Sequence, residues 1–234
     1  AIVTADANKA DYQIVNTGSS ESQLKMLQDL ELSHQQQREL YEYCQSHGIQ
    51  FLSTPFDSVS LKFLTADLRL TTIKVGSGEL TNAPFLLEVA QSAENIILST
   101  GMSTIDEVTE AVGVIAFAMT SSTSARPSKT SMSAAFESPE GKSAISERVI
   151  LLHCTTDYPT KPEDVNLKAM LTLGDKFKCQ VGFSDHSVGV HLAVAAVAMG
   201  ATIIEKHLTT SRALPGPDHK ASLEPNEFKN LVHQ

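Results

Sequence analysis

The chain has 234 residues, 41% hydrophobic and 19% charged, which is enough apolar content to bury one large core. Its formal net charge of -9, with no run of Lys and Arg, excludes a nucleic-acid surface, which needs clustered cations to neutralise phosphates. The most apolar stretch, from Val188 to Ile204, is broken by Gly189, His191 and Gly200 and is too short for a membrane span, and the odd trio Cys44, Cys154 and Cys179 lacks metal-type spacing, as expected of reduced thiols in a cytoplasmic protein.

Residues 1–32 read as polar and irregular, and a start at Ala rather than Met, with no signal peptide, reads as a trimmed beginning. At Ser33 the motif S-H-Q-Q forms a capping box, opening a helix through Leu40, Tyr41 and Cys44 to a stop at Gly48. I-Q-F-L-S-T-P-F-D then predicts a strand and loop, with Asp57 capping a helix through Val59, Phe63 and Leu64. A second strand, T-I-K-V-G-S-G-E, precedes a helix carrying Phe85, Leu86, Val89 and Ala90, and a third, N-I-I-L-S-T-G, follows. Ser103 and Asp106 open a helix with Ile105, Val108, Val112 and Ile115 at helical spacing.

Residues 119–146 break this rhythm with a Ser/Thr/Pro-rich stretch, whose composition predicts a surface insertion that does not order itself. A domain boundary is the alternative, but R-V-I-L-L-H-C-T-T resumes the β-α rhythm, favouring a single domain over 1–234. Two further strands, V-G-F-S-D-H and A-T-I-I-E-K-H, end on His186 and His207, and the apolar S-V-G-V-H-L-A-V-A-A-V-A-M-G between them reads as a buried crossover helix, making them parallel neighbours. Glu224-Pro225 opens a last helix. Six β-α units result; the fold class is α/β, either part of an eight-stranded barrel or an open six-stranded sheet.

Parallel strands deliver their last side chains to one rim, where ligands bind. That rim should carry Ser53-Thr54, Lys74 with Ser77 and Glu79, Ser99-Thr100, Thr155-Thr156 with Tyr158, Ser184 with His186, and Glu205 with His207. Two imidazoles on adjacent strands, flanked by carboxylates, suit a divalent metal such as Mn or Mg; each could equally be a satisfied polar residue at a strand end. The hydroxyls suit a phosphate or carboxylate, or serve turns. A lysine within an apolar strand, as Lys74 is, calls for a partner. The rigid loop A-L-P-G-P-D-H presents Asp218 to the rim as an acid/base or hydroxyl anchor, while His219 beside it reads as solvated. His153 and His191 read as structural. Parity puts Ile203, Glu205 and His207 on one face of the last strand and Lys206 on the other, so Lys206 is not counted as catalytic.

The ordered blocks F-L-S-T-P-F-D, K-V-G-S-G-E-L-T-N, I-L-S-T-G-M-S-T, H-C-T-T-D-Y-P-T, G-F-S-D-H, E-K-H-L-T and P-G-P-D-H-K-A-S-L-E-P closely resemble the sialic acid synthase family, from about Ser33 to the end apart from the Ser-rich insertion. The resemblance implies a TIM (β/α)8 barrel, and an enzyme that condenses phosphoenolpyruvate with N-acetylmannosamine or a related N-acetylated hexosamine, giving a nonulosonic acid and phosphate. It implies metal binding by His186 and His207. Phosphoenolpyruvate contacts fall on Thr54, Lys74, Ser77 and Ser184, with Thr156 standing where some members carry Asn. Sugar contacts fall on Tyr158 and Asp218, with Glu79 a further acidic residue. A homodimer is also implied. Family members begin with two strands, bearing a glutamate and a lysine, and carry a C-terminal antifreeze-like domain. Nothing here corresponds to these, so a barrel without its first two β-α units is expected, with K-A-D-Y-Q matching the loop after the second strand. The alternatives are another phosphoenolpyruvate-aldose condensing enzyme, or an inactive fragment that works only through a partner.

Overall fold

The computed structural model describes residues 3–19, 21–122 and 124–234. Among them five strands form one parallel sheet: β1 (Thr72–Val75), β2 (Asn95–Ser99), β3 (Val149–Cys154), β4 (Gln180–Asp185) and β5 (Ile204–Lys206), each hydrogen-bonded to its predecessor in chain order. A doubly wound sheet reverses direction at a switch point, whereas unbroken sequential order is the winding of a (β/α)8 barrel. The arc is curled. β1 and β5 are its two edges, and a flat sheet would hold them about 19 Å apart at roughly 4.8 Å per strand; yet Lys74 Nζ on β1 lies 3.3 Å from Glu205 Oε2 on β5.

Strand alternation divides the sheet into two faces. Ile73, Val75, Ile96, Leu98, Val149, Leu151, Val181 and Phe183 point outward into the main core. Covering them are α5 (Ala83–Ser92), α6 (Ile105–Thr120) and α9 (Lys168–Phe177), which contribute Leu86, Val89, Val112, Ile115 and Met170. The opposite face holds Lys74, Ser99, Cys154, Ser184 and Glu205 toward the C-terminal end of the strands. No helix among the described residues is long and apolar enough to cross a membrane.

Several sequence expectations are corrected. The described part of residues 1–32, which leaves out 1, 2 and 20, is not irregular throughout: α1 (Asp11–Thr17) and α2 (Gln23–Leu30) form there, α1 with the Gln13 side chain accepting the Ala10 N–H at 2.9 Å, and α2 with Ser22 accepting from Lys25 N at 3.2 Å. Next, α3 (His34–Ser46) has the expected capping box at Ser33. The run I-Q-F-L-S-T-P is not a paired strand, so there are five ladder strands rather than six. Of its apolar residues Phe51 packs on a helix, meeting Tyr41 of α3 edge-on at 6.0 Å, while Ile49 and Leu52 are exposed, and Pro55 lacks the N–H that a ladder needs. Asp57 caps α4 (Ser58–Lys62) as expected.

The Ser-rich stretch is also largely helical from Lys129 on. It forms α7 (Lys129–Glu137) and α8 (Pro139–Arg148), with Ser128 and Ser138 as their N-caps, so the composition that signals disorder here supplies caps. α7 lies across α6 at Gly113, where a Cβ would stand 3.3 Å from Met132 O, and Ile145 of α8 is fully buried. The crossover α10 (His191–Ala198) is only half-buried: Ala193 and Ala196 face the sheet while Val197 and His191 are exposed. The chain ends in α11 (Pro225–His233).

Candidate active site

In-register pairing sets Ser184 beside Glu205 and Asp185 beside Lys206, so alternation aims the first pair inward and the second outward. Inside, Ser184 Oγ donates to Glu205 Oε1 at 2.6 Å, while Glu205 Oε2 receives Lys74. This is the partner that a lysine in an apolar strand requires. Outside, Lys206 Nζ meets Asp185 Oδ2 at 2.9 Å, both side chains almost wholly buried, which bears out the exclusion of Lys206 from the inner site.

His186 follows β4 directly. Its Nδ1 lies 2.7 Å from the Thr155 carbonyl, which can only accept, so Nδ1 carries the ring proton and Nε2 the lone pair. Nε2 is 3.1 Å from Ser184 Oγ. Burial lowers the His186 pKa to about 4, assisted by the neighbouring His207, and the ring is neutral near pH 7. His207 stands edge-on to it, with ring centroids 5.4 Å apart at 87°. Tyr158 packs against both rings, at 4.1 and 5.5 Å, and Asp218 Oδ2 lies 3.8 Å from His207 Nδ1. Burial raises the Asp218 pKa.

A second convergence surrounds Gly101, in the loop after β2. The position a Cβ would take there is 2.7 Å from Cys154 Sγ, 2.8 Å from Thr156 Oγ1 and 3.3 Å from Ser77 Oγ. Among the described residues the buried Thr156 hydroxyl has no hydrogen-bond partner. Such an orphan inside a polar cluster is a place for a ligand oxygen. Cys154 is a buried thiol whose pKa is pushed up by desolvation, although the Lys74 charge acts against this.

Lys74, Ser184, His186, His207, Tyr158 and Asp218 are therefore brought together, and Ser77 with Thr156 lies on the Cys154 side. Two expected residues have other partners among the described residues. Glu79 is buried and accepts from Asn82 Nδ2 at 2.7 Å, holding the cap of α5. Thr54 lines a cavity of about 610 Å³ with Ser33, His34 and Phe56, and its Cγ2 lies 4.0 Å from the position a Cβ would take on Gly76, beside Ser77. No hydrogen bond or ion pair links either to the histidines among the described residues. His219 is not simply solvated, because its Nδ1 lies 2.8 Å from Thr209 Oγ1. His153 is structural as expected, with Nε2 bonded to the Val165 carbonyl and its ring stacked on Phe183.

Cys154, Tyr12 and Asn16 are site elements to which the sequence reading assigned no role, and Glu205, expected at the rim as a carboxylate beside the metal, instead pairs with Lys74 and Ser184. Parity put Glu205 on the correct face, but its link to Lys74 depends on sheet curvature. Tyr12, on α1, puts its ring 5.1 Å from Tyr158.

The two imidazoles fit a metal in part. A neutral ring whose Nδ1–H is held by a carbonyl, leaving Nε2 as donor, is the usual arrangement of a ligating histidine. Yet no group of three or more His, Cys, Asp or Glu suited to a metal ion forms among the described residues.

The chain is similar to known proteins in sequence and in fold. The N,N'-diacetyllegionaminic acid synthase of Campylobacter jejuni is 43% identical over 232 residues, covering 99% of this chain and 62% of that protein. Its namesake in Legionella pneumophila is 41% identical over 231 residues, covering 99% and 58%. The chain thus spans about six-tenths of the length of these curated relatives. Among solved structures, the N-acetylneuraminic acid synthetase of Leptospira borgpetersenii, a citrate complex, superposes with a TM-score of 0.73 at 32% identity, covering 90% of this chain and 64% of that one. The family model described as "NeuB family" matches residues 1–234, and with the curled parallel arc and the paired histidines at its rim this places the chain in the NeuB family.

Proposed function

We propose that residues 1–234 form the barrel domain of a synthase that condenses phosphoenolpyruvate with N-acetylmannosamine or a related N-acetylated hexosamine, releasing a nonulosonic acid and phosphate. The observation that carries this reading is the continuous line Lys74, Glu205, Ser184, His186, His207, Asp218, with a cationic, hydroxyl-rich end and a histidine-carboxylate end. Lys74 offers a charge to an anionic substrate that a protein of net charge -9 otherwise repels. The hydroxyls of Ser77, Thr156 and Ser184 suit the carboxylate and phosphate oxygens of phosphoenolpyruvate. Tyr158 and Asp218 suit the hydroxyls of an open-chain sugar.

On this reading His186 and His207 hold a divalent cation, Mn or Mg, which when bound supplies Lewis-acid polarisation of the sugar aldehyde. The reaction balances as follows: C3 of phosphoenolpyruvate bonds to the aldehyde carbon, water adds at C2, and the C2–O bond to phosphate breaks as the keto acid forms. Asp218, its pKa raised by burial, is placed to hold or pass a proton beside the new hydroxyl. Lys74 steadies the departing phosphate. Homodimerisation and a cytoplasmic setting belong to the same reading; three free cysteines suit a reducing compartment. The test is phosphate release from phosphoenolpyruvate with N-acetylmannosamine and Mn. No release by the chain, or by a longer protein that contains it, overturns it.

A further inference from the structure

Helix α1 makes two contacts with the far end of this site that its own folding does not require. The Asn16 amide lies 3.1 Å from the Tyr158 carbonyl and 2.6 Å from the Pro217 carbonyl, 142 and 201 residues along the chain. Both partners are acceptors, so the amide must present its NH2 group and spend one proton on each. One carbonyl belongs to Tyr158 itself and the other to the residue before Asp218. A single side chain therefore ties together the loops after β3 and β5 that carry the two sugar-end residues. One helical turn earlier, on the same face, stands Tyr12. Its ring lies 5.1 Å from Tyr158, which in turn lies 4.1 Å from His186, so an aromatic wall runs unbroken from α1 to the histidine pair. Burial and the nearby Asp218 charge push the Tyr12 phenol up to about 12, and like any phenol it is protonated and able to donate at neutral pH.

We propose that α1 completes the hexosamine end of the site: Tyr12 contacts the acetamido group of the sugar directly, and Asn16 is a positioning residue that sets Tyr158 and Asp218. The chemistry matches the ligand class. Two tilted aromatic rings pack an acetyl methyl, a phenol donates to the amide carbonyl, and the Asp218 carboxylate accepts from the amide N–H. Lys74 and the Thr156 cluster, at the anionic end, take no part. The proposal rests on the hexosamine reading above.

Calorimetric titration of the chain in Mn buffer, with N-acetylmannosamine and separately with phosphoenolpyruvate, tests it. Tyr12→Ala and Asn16→Asp, which keeps the shape but loses the donors, each lower hexosamine affinity tenfold or more and leave phosphoenolpyruvate affinity within twofold. Asn16→Gln, which keeps the donors, recovers part of the loss. Should Tyr12→Ala fail to fold, Tyr12→Leu and Asn16→Asp decide. Unchanged hexosamine affinity, or equal loss of both ligands, overturns the assignment while leaving the function standing. A wild-type chain that binds neither ligand overturns both.

Discussion

Ser184 Oγ lies 2.6 Å from Glu205 Oε1, and that bond decides what His186 can do. A hydroxyl has one proton, and the shorter, charge-assisted bond to the carboxylate takes it. His186 Nε2, 3.1 Å from the same oxygen and with its Nδ1–H already given to Thr155, keeps its lone pair available to a cation. His186→Ala and His207→Ala should each abolish Mn retention, whereas Ser184→Ala should keep the metal and lose phosphoenolpyruvate affinity. Metal analysis after gel filtration reads this directly. Full Mn occupancy in either histidine variant would sink the ligand assignment.

The same burial makes stability pH-dependent in chelator-treated protein. His186 has a folded pKa of about 4 against a usual 6.5, principally because burial penalises the charged ring. Between those values the unfolded chain binds a proton that the folded chain refuses, so stability falls as pH drops from 6.5 toward 4. The full effect of this one group is on the order of 3 kcal/mol, from about 1.4 kcal/mol per pKa unit. Urea midpoints measured across that window should decline more steeply for the wild type than for His186→Asn. Parallel slopes would refute the assignment.

How far the site was legible depends on whether neighbours in sequence or neighbours across the arc make it. The inward set Ser184, His186, Glu205 and His207 follows from parity along two short strands, and the sequence motifs place it without any tertiary knowledge. Lys74 and Glu205 are 131 positions apart on opposite sheet edges, and only curvature brings them together. The helices α1, α7 and α8 were obscured by their Ser, Asn and Gln content, which composition reads as disorder but which here caps helices and bridges loops. Phe51 misled in the other direction, its apolar run signalling a strand while its ring serves α3.

Gly101→Ala gives a separate test of the Ser77–Thr156 cluster. The added methyl would stand 2.7 Å from Cys154 Sγ and 2.8 Å from Thr156 Oγ1, well inside contact distance. Overpacking of this kind costs about 1–3 kcal/mol and displaces whichever neighbour yields first. Phosphoenolpyruvate affinity should fall with hexosamine affinity little changed, and Cys154→Ala in the same chain should restore part of it by clearing the sulfur. Unaltered phosphoenolpyruvate binding in Gly101→Ala would place the anion elsewhere.

The outward pair, Asp185 and Lys206, carries the last prediction. Asp185 Oδ1 accepts from the Ser187 amide at 2.8 Å and from the Ser187 hydroxyl at 2.6 Å, and Lys206 Nζ donates to the Ser187 carbonyl. The two side chains thus grip the residues on both sides of His186 and bind that turn to β5. Removing one partner leaves a buried charge alone, which typically costs about 3–5 kcal/mol. Asp185→Ala and Lys206→Met should each lose stability on that scale in urea titrations. The double variant removes both charges and should recover part of the loss, though not all, because the Ser187 backbone groups stay orphaned at about 1–3 kcal/mol each. Where the single variants still fold, Mn affinity should fall with them, since the turn that aims His186 is no longer held. Additive losses in the double variant would show that the two charges are not coupled, and that the grip on His186 comes from the Thr155 bond alone.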